Sequence, residues 1–249
     1  GVPARECITA WQAAFQRWDL VVECSFASLL PVLARAWKSA QIFHGVAHKF
    51  LVSGQDITFH PRLANYDLVA ALSQGHQEIL RGSGILKHAD AAKLVGYPKL
   101  DPLARGDVDR DAVLRDYGAD PQRTTVLYAP TWNVEQSLHQ VGAEVIDTLI
   151  GHDVQLLVKP HPMSLPSSDS LRTIPLAIEQ KRWDQFLQRR HDEGKLVWVK
   201  DDDTSRYLGA ADVLITDYGS TPFEYMVTGR PIVYFDTDDA RRTMSDPET

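Results

Sequence analysis

Short apolar runs alternate with helically spaced apolar positions along most of this chain. Runs rich in Val, Ile and Leu predict buried strands, and apolar positions three or four residues apart predict helices between them. The predicted strands are 19–24, 41–44, 67–72, 93–96, 125–129, 154–159, 196–200, 213–216 and 232–235. The predicted helices are 4–18, 27–39, 75–82, 141–150, 177–191, 204–210 and 222–228. Because about ten or more residues separate many successive strands, we expect crossover connections and parallel sheets.

A domain boundary is predicted where this periodicity lapses, in the segment 96–107 (G-Y-P-K-L-D-P-L-A-R-G-D). Its prolines, glycines and mixed charges are typical of an interdomain segment. We therefore expect one α/β domain at 1–105 and a second at 106–249. The chain opens with an amphipathic helical pattern rather than strands and stops without a closing helix, so both domains are expected to be incomplete at the outer ends.

The overall composition is that of an ordinary globular protein, with 44% hydrophobic and 24% charged residues in 249. A net charge of −7 argues against general nucleic-acid binding, which requires a basic surface. Two cysteines, Cys7 and Cys24, provide neither a disulfide framework nor a zinc cluster. No signal peptide or membrane-spanning run is present. The expected location is therefore the cytoplasm, and peripheral attachment to the inner face of the membrane stays open.

The stretch 216–226 (T-D-Y-G-S-T-P-F-E-Y-M) follows the apolar run 213–215. Thr221 and Glu224 have the spacing of a capping box, which would explain the stretch as an ordinary helix start. Asp217, Gly219 and Ser220 are not needed for that cap. Between a strand and a helix, such residues offer amides and a hydroxyl to a diphosphate. The two interpretations are compatible, because a capped helix is also a preorganised one.

Two further turns are expected at the same strand ends. Lys159 and His161 lie in V-K-P-H-P (158–162), where a cation and an imidazole would suit an anionic leaving group. The alternative is a surface loop. Thr131 lies in Y-A-P-T-W (128–132), at the end of the first strand of the second domain. The acidic run 201–203 precedes a predicted helix and is interpreted as a set of solvated acids at its N-terminus.

One histidine in the first domain is a candidate general base. His44 lies in I-F-H-G-V-A-H-K (42–49), at the end of a predicted strand. A histidine with a pKa near neutrality could deprotonate a hydroxyl there. His44 and His48 have i,i+4 spacing, but no H-E-x-x-H pattern accompanies them and Gly45 argues against a continuous helix. We therefore predict no metal site.

Taken in order, these motifs resemble those of one enzyme family. The segments 44–49, 96–101, 128–132, 159–162 and 211–236 are similar to motifs of the CDP-glycerol:poly(glycerophosphate) glycerophosphotransferases of teichoic-acid and capsule synthesis. The last segment is the longest and most specific. The resemblance implies a GT-B architecture of two Rossmann-like domains with parallel sheets. It assigns 1–105 to the acceptor side and 106–249 to the nucleotide donor.

The resemblance also implies roles for individual residues. His44 would be the base for the acceptor hydroxyl, with Lys49 as an accompanying cation. His161 would contact the transferring or leaving phosphate. The remaining donor-side residues are Lys159, Asp217, Gly219, Ser220, Thr221 and Glu224, with Thr131 at the rim of the cleft. Ser220 and Thr221 would hold the diphosphate, Asp217 would shape the turn, and Glu224 would face the ribose.

The implied reaction is transfer of glycerophosphate, or a related polyol phosphate, from a CDP-activated donor to a hydroxyl of a cell-envelope or capsule polymer. CDP-glycerol would be a substrate, and no cofactor would be required. The expected partners are thus a nucleotide-activated donor and a polyol-phosphate or saccharide acceptor, without nucleic acid. Two alternatives stay open: a nucleotide-sugar glycosyltransferase, and an enzyme similar to UDP-N-acetylglucosamine 2-epimerases. A binding module without turnover is a third.

Overall fold

The computed structural model describes residues 8–24, 30–43, 45, 61–132, 135–165 and 182–236. The chain divides into two compact units, with the division between Pro98 and Lys99. This division lies inside the segment 96–107. The helix Asp101–Ala104 belongs to the second unit, where Leu103 packs against the apolar core.

The described part of the first unit contains a parallel sheet with the strand order β1-β2-β3-β4. Its core includes Leu63, Tyr66, Val69 and Leu80. The elements in chain order are α1 (Ala10–Ala14), β1 (Trp18–Glu23), α2 (Leu30–Ala34), β2 (Ala36–Gln41), β3 (Leu68–Ala71), α3 (Gln74–Gly82) and β4 (Ala92–Leu94), with 3₁₀ turns at Pro61–Asn65 and Ala89–Ala91.

Two predictions for this unit were wrong. The helix expected over 27–39 ends at Ala34, and the strand β2 begins at Ala36 rather than at residue 41. The described part of the opening helix is only Ala10–Ala14, and Trp18 already starts β1. Trp18 pairs with Ala36 in parallel register, so strand pairing outweighs the helix propensity of the local sequence.

The described part of the second unit contains a parallel sheet with the strand order β7-β6-β5-β8-β9. Its elements are α4 (Asp101–Ala104), α5 (Arg110–Asp116), β5 (Thr125–Ala129), α6 (Ser137–Ile150), β6 (Gln155–Val158), α7 (Trp183–Asp192), β7 (Val197–Trp198), α8 (Thr204–Ala210), β8 (Val213–Thr216), α9 (Thr221–Tyr225) and β9 (Ile232–Tyr234). The 3₁₀ turns are Pro98–Leu100, Pro162–Ser164 and Met226–Thr228.

Helices cover both faces of this second sheet. On one face, α5, α8 and α9 contribute Leu114, Leu208 and Tyr225 to the core. On the other face, α6 and α7 contribute Ile146 and Trp183. Every residue of β5 and β6 is buried, as expected for central parallel strands covered on both sides. The predicted α/β class with parallel sheets is confirmed.

Candidate functional site

The carboxyl ends of β5 and β8 form the point at which the chain changes direction across the second sheet. From β5 the chain passes to β6 on one side, whereas β8 pairs with β5 on the other. Ala129 at the end of β5 is paired with Thr216 at the end of β8. In open parallel sheets, ligands bind in the crevice outside such a switch point. A ligand site is therefore expected at the turns that follow these two strands.

Asp217 connects the turn after β5 with the beginning of α6. Its Oδ1 accepts a hydrogen bond from the backbone N–H of Thr131 at 2.8 Å. Its Oδ2 accepts from the hydroxyl of Ser137 at 2.6 Å and from the Ser137 N–H at 3.1 Å. The phenol of Tyr128 in turn hydrogen-bonds to the Ser137 hydroxyl at 2.9 Å. This carboxylate therefore satisfies an N–H of the α6 N-terminus from a distant part of the chain.

Asp217 is 1% exposed, so it shapes the turn from beneath rather than from the surface of the crevice. Burial raises the pKa of the Asp217 carboxyl, and the hydrogen bonds from Ser137 and Thr131 oppose that increase. Its described contacts join the turns after β5 and β8 into one unit.

Gly219 and Thr131 lie next to each other on these two turns. A Cβ placed on Gly219 would lie 3.9 Å from Cβ of Thr131, which is an ordinary van der Waals distance. Gly219 is not among the glycines with positive φ. Neither steric crowding nor backbone conformation therefore requires glycine at this position. A requirement for glycine would have to come from something that approaches the backbone from outside.

The helix α9 starts differently from the sequence-based prediction. Ser220, not Thr221, is the N-cap residue, and its side chain makes no capping hydrogen bond. Thr221 is the first helical residue, and the N–H of Glu224 donates to the Ser220 carbonyl at 3.0 Å. The predicted Thr221–Glu224 capping box was therefore wrong, because the N-cap lies one residue before Thr221. Because Thr221 already has helical backbone geometry, its side chain is not placed to cap.

His161 follows β6 and is exposed beside the turn after β5. Its Nδ1 accepts from the backbone N–H of Met163 at 3.2 Å, which caps the 3₁₀ turn Pro162–Ser164. When Nδ1 is an acceptor, the neutral imidazole carries its proton on Nε2. The Trp132 ring lies nearby, with ring centroids 6.5 Å apart. His161 and the residues after β5 are thus neighbours at the same edge of the sheet.

Lys159 also follows β6, but its side chain is only 14% exposed. Its Nζ lies 3.6 Å from Oδ1 of Asp202 and 5.7 Å from the centroid of the Tyr207 ring. Burial, together with the charge of Glu224 and neighbouring acids, raises the pKa of Tyr207 to about 12. The Lys159 ammonium therefore lies within a group of charged and polar side chains at the start of α8.

Lys99, a residue without a predicted role, forms an ion pair with Glu224. Its Nζ lies 2.9 Å from Oε1 of Glu224. Its place in the motif 96–101 was the sequence feature that could have pointed to it, but no role was predicted for that motif. The Glu224 side chain is 4% exposed, so the ribose-facing carboxylate expected from the resemblance is buried.

The site residues expected in the first unit, His44 and Lys49, lie outside the described residues. The acidic run 201–203 behaves as expected at its end, where Asp203 caps α8 by accepting from Ser205 N–H at 3.0 Å. Among the described residues, no group of three or more His, Cys, Asp or Glu side chains is arranged to hold a metal ion. The helices described here include none long and apolar enough to cross a membrane.

The carboxyl edge of the second sheet thus brings together turn amides, the hydroxyls of Ser220 and Thr221, an imidazole and lysine side chains, a set suited to a diphosphate. Residues 4–243 match the family model described as CDP-Glycerol:Poly(glycerophosphate) glycerophosphotransferase. The chain belongs to this family. The resemblance stated from the motifs is therefore confirmed, and the glycerophosphotransferase family accounts for nearly the whole sequence.

Individual relatives agree with this family assignment. The teichoic acid glycerol-phosphate primase of Bacillus subtilis (strain 168) is 26% identical over 197 residues, covering 72% of this chain and 42% of the primase. The primase of Bacillus spizizenii (strain ATCC 23059 / NRRL B-14472 / W23) is 23% identical over 184 residues, covering 72% of this chain and 43% of that primase. The chain spans less than half the length of these curated relatives.

Solved structures show the same fold. The wall teichoic acid polymerase TagF, in a variant soaked with CDPG, superposes with a TM-score of 0.62 at 20% identity, over 89% of this chain and 54% of TagF. The UDP-GlcNAc 2-epimerase of Methanocaldococcus jannaschii superposes with a TM-score of 0.52 at 14% identity, over 92% of this chain and 63% of the epimerase. These likenesses confirm the predicted GT-B class of two Rossmann-like units.

Proposed function

We propose that this chain carries the donor-binding unit of a glycerophosphotransferase and transfers glycerophosphate from CDP-glycerol to a hydroxyl of a cell-envelope polymer. The observation that carries the proposal is the arrangement of Thr131, His161 and Gly219–Thr221 around one switch point, in a chain that belongs to the glycerophosphotransferase family. In this proposal the second unit binds the nucleotide donor and the first unit presents the acceptor.

The reaction would be an in-line substitution at the β-phosphorus of CDP-glycerol. The acceptor oxygen forms a bond to this phosphorus, the bond to the CMP oxygen breaks, and CMP leaves with the bonding electron pair. The acceptor proton passes to His44 in the first unit. Positioning and charge stabilisation supply most of the rate enhancement, and the base contributes about 10²–10⁴-fold of it.

On the donor side, each described group has a distinct task. The Nε2–H of His161 donates to an oxygen of the transferring or leaving phosphate, since Nδ1 is already used by Met163. Ser220 and Thr221 donate their hydroxyls to the diphosphate. Asp217 does not touch the substrate. It holds the turns after β5 and β8 together, so that these donors keep their geometry.

The proposed activity is tested by incubating the chain with a glycerophosphate primer and either CDP-glycerol or UDP-N-acetylglucosamine. We expect CMP release and primer extension with CDP-glycerol only. Release of UDP would indicate a sugar transferase. A change of sugar configuration without CMP would indicate an epimerase, and cytidine-nucleotide binding without turnover would indicate a binding module. His44→Ala is expected to abolish transfer while leaving CDP-glycerol binding intact, and full activity of that variant would remove His44 as the base.

We also propose peripheral attachment of the first unit to the inner face of the membrane. Trp11, Phe15 and Trp37 are 70%, 75% and 78% exposed, and the guanidinium of Arg35 lies 5.7 Å from the centroid of the Phe15 ring. Aromatic side chains with neighbouring cations are suited to the interface of a bilayer with anionic lipids. Co-sedimentation with anionic vesicles should be lost when Trp11 and Trp37 are replaced by Ser; equal sedimentation of both proteins would contradict this attachment.

A further inference from the structure

The ion pair between Lys99 and Glu224 joins two residues 125 positions apart in the second unit. The two side chains differ in exposure. Glu224 is 4% exposed, whereas Lys99 is 38% exposed. A buried carboxylate requires compensation by a cation or by hydrogen-bond donors, and here Lys99 supplies a charge at 2.9 Å. The carboxylate is therefore below the surface and the ammonium is the partner that solvent can reach.

This pair lies at the carboxyl edge of the sheet, next to the diphosphate turn. The N–H of Glu224 donates to the carbonyl of Ser220, one helical turn away. The Glu224 charge also acts on Tyr207, whose ring lies 5.7 Å from the Nζ of Lys159. The group at this edge thus contains two lysines, of which Lys159 is 14% exposed and lies near Asp202. Lys99 is the more accessible of the two.

A lysine held in this way has two properties that favour an anionic ligand. Its side chain is 38% exposed, so an anionic ligand can reach the ammonium. Its long side chain is already ordered by the ion pair, so ligand binding need not order it again. A carboxylate that is 4% exposed, by contrast, would have to be uncovered before it could accept a ribose hydroxyl.

We propose that Lys99 is a donor-binding residue whose ammonium contacts the diphosphate of the bound nucleotide, and that Glu224 is the positioning residue that holds it. This inference rests on the proposed function, because it assumes a nucleotide diphosphate at the turn 217–221. It adds Lys99 to the site and replaces the direct ribose contact of Glu224 with a supporting role.

A purely structural ion pair is the competing explanation, and a double-substitution experiment separates the two. Lys99→Met alone leaves the Glu224 charge buried without this cation, so the variant is expected to lose stability. Adding Glu224→Gln removes that charge and is expected to restore the melting temperature. The affinities of CDP and of cytidine are then measured by calorimetry for the wild type, both single variants and the double variant.

If Lys99 contacts the diphosphate, the double variant is stable but binds CDP about 10–100-fold more weakly, the range expected for loss of a charged hydrogen bond. Its affinity for cytidine, which has no phosphate, is unchanged, and Lys99→Arg retains most of the CDP affinity. Recovery of CDP affinity together with stability would overturn the proposal. So would a Lys99→Met effect confined to the preference for CDP over 2′-deoxy-CDP, because that would assign the pair to the ribose.

Lys195→Met is the matched control. Lys195 pairs with Glu193 at 2.8 Å, with side-chain exposures of 53% and 42%, and precedes β7 at the opposite edge of the same sheet. This substitution removes the same charge without disturbing the proposed site, so CDP affinity should stay at the wild-type value. A wild-type chain that binds neither CDP nor CDP-glycerol would refute the proposed function itself, whereas wild-type binding with no effect of Lys99 would refute only this inference.

Discussion

The carboxylate of Asp217 lies 2.8 Å from the backbone nitrogen of Thr131 and 2.6 Å from the hydroxyl of Ser137. A residue at the end of one central strand thereby fixes the turn that follows the neighbouring strand. Because both carboxylate oxygens accept hydrogen bonds, the geometry of the switch point depends on this side chain.

Asp217→Asn should separate this structural role from charge alone. The amide NH₂ must face a donor where an oxygen now accepts, so we expect a loss of about 1–3 kcal/mol in the free energy of unfolding. Urea denaturation measures that loss, and calorimetry should show weaker CDP-glycerol binding. Asp203→Asn is the control, because Asn caps helices about as well as Asp. Equal stability of the Asp217 variant and the wild type would contradict the assigned role.

Gly219→Ala tests whether a ligand approaches the backbone of the turn. The added Cβ has room beside Thr131, so the free energy of unfolding should be unchanged or slightly increased. Binding of CDP-glycerol should nevertheless weaken, since the methyl group would occupy the space needed by the diphosphate. Thermal denaturation and calorimetry measure the two effects.

Gly209→Ala provides the opposite case. Its Cβ would lie 2.7 Å from Cγ1 of Val108, so the free energy of unfolding should decrease by about 1–3 kcal/mol. Normal CDP-glycerol binding by Gly219→Ala would contradict the contact between the diphosphate and the turn. A loss of stability like that of Gly209→Ala would contradict the room for a Cβ beside Thr131.

His161→Asn should preserve the local fold while removing Nε2, the nitrogen proposed to contact the phosphate. An Asn oxygen can replace Nδ1 as acceptor for the Met163 N–H, but it provides nothing in the position of Nε2. We expect kcat for CMP release to fall by about 10²-fold or more, with little change in melting temperature. His161→Ala would lose both the cap and the imidazole. Wild-type turnover by the Asn variant would exclude a role for Nε2 in phosphate chemistry.

The lowered pKa of Asp67 in the first unit predicts a loss of stability at low pH. The hydrogen bond from Lys87 lowers the pKa of the Asp67 carboxyl to about 2. The Nζ of Lys87 lies 2.8 Å from Oδ1 of Asp67. A lowered pKa in the folded state contributes stability that is complete above the unfolded pKa of about 3.9. This contribution is lost as the pH falls towards 2. NMR titration of the Asp67 carboxyl in the wild type and in Lys87→Met should show a higher pKa in the variant; an identical pKa would contradict this cause.

The central strands of the second unit could be predicted from the sequence because their apolar runs are buried on both faces. The predicted bounds 125–129 and 213–216 are those of β5 and β8. The place of the turns after these strands could also be predicted, because the carboxyl ends of parallel strands lie at one edge of their sheet. The strand β2 could not be predicted, because its sequence A-W-K-S-A-Q has no apolar run, and pairing with β1 decides its conformation.

Side-chain partners were beyond the reach of local patterns. The Thr221–Glu224 spacing fitted a capping box, yet the helix starts one residue earlier than predicted and Glu224 pairs with Lys99, 125 positions away. The contacts of Asp217 with Thr131 and Ser137 likewise span more than eighty positions. Such contacts are set by which strands lie side by side, and this order is a property of the assembled sheet.

We expect CDP-glycerol to bind at the switch point of the second unit. Hydrogen–deuterium exchange with and without saturating CDP-glycerol tests it most directly, because ordering of a turn by a ligand slows exchange of its amides. We predict slower exchange in peptides covering 127–132 and 217–221, and no change there with UDP-N-acetylglucosamine. Unchanged exchange in both peptides at saturating CDP-glycerol would contradict it.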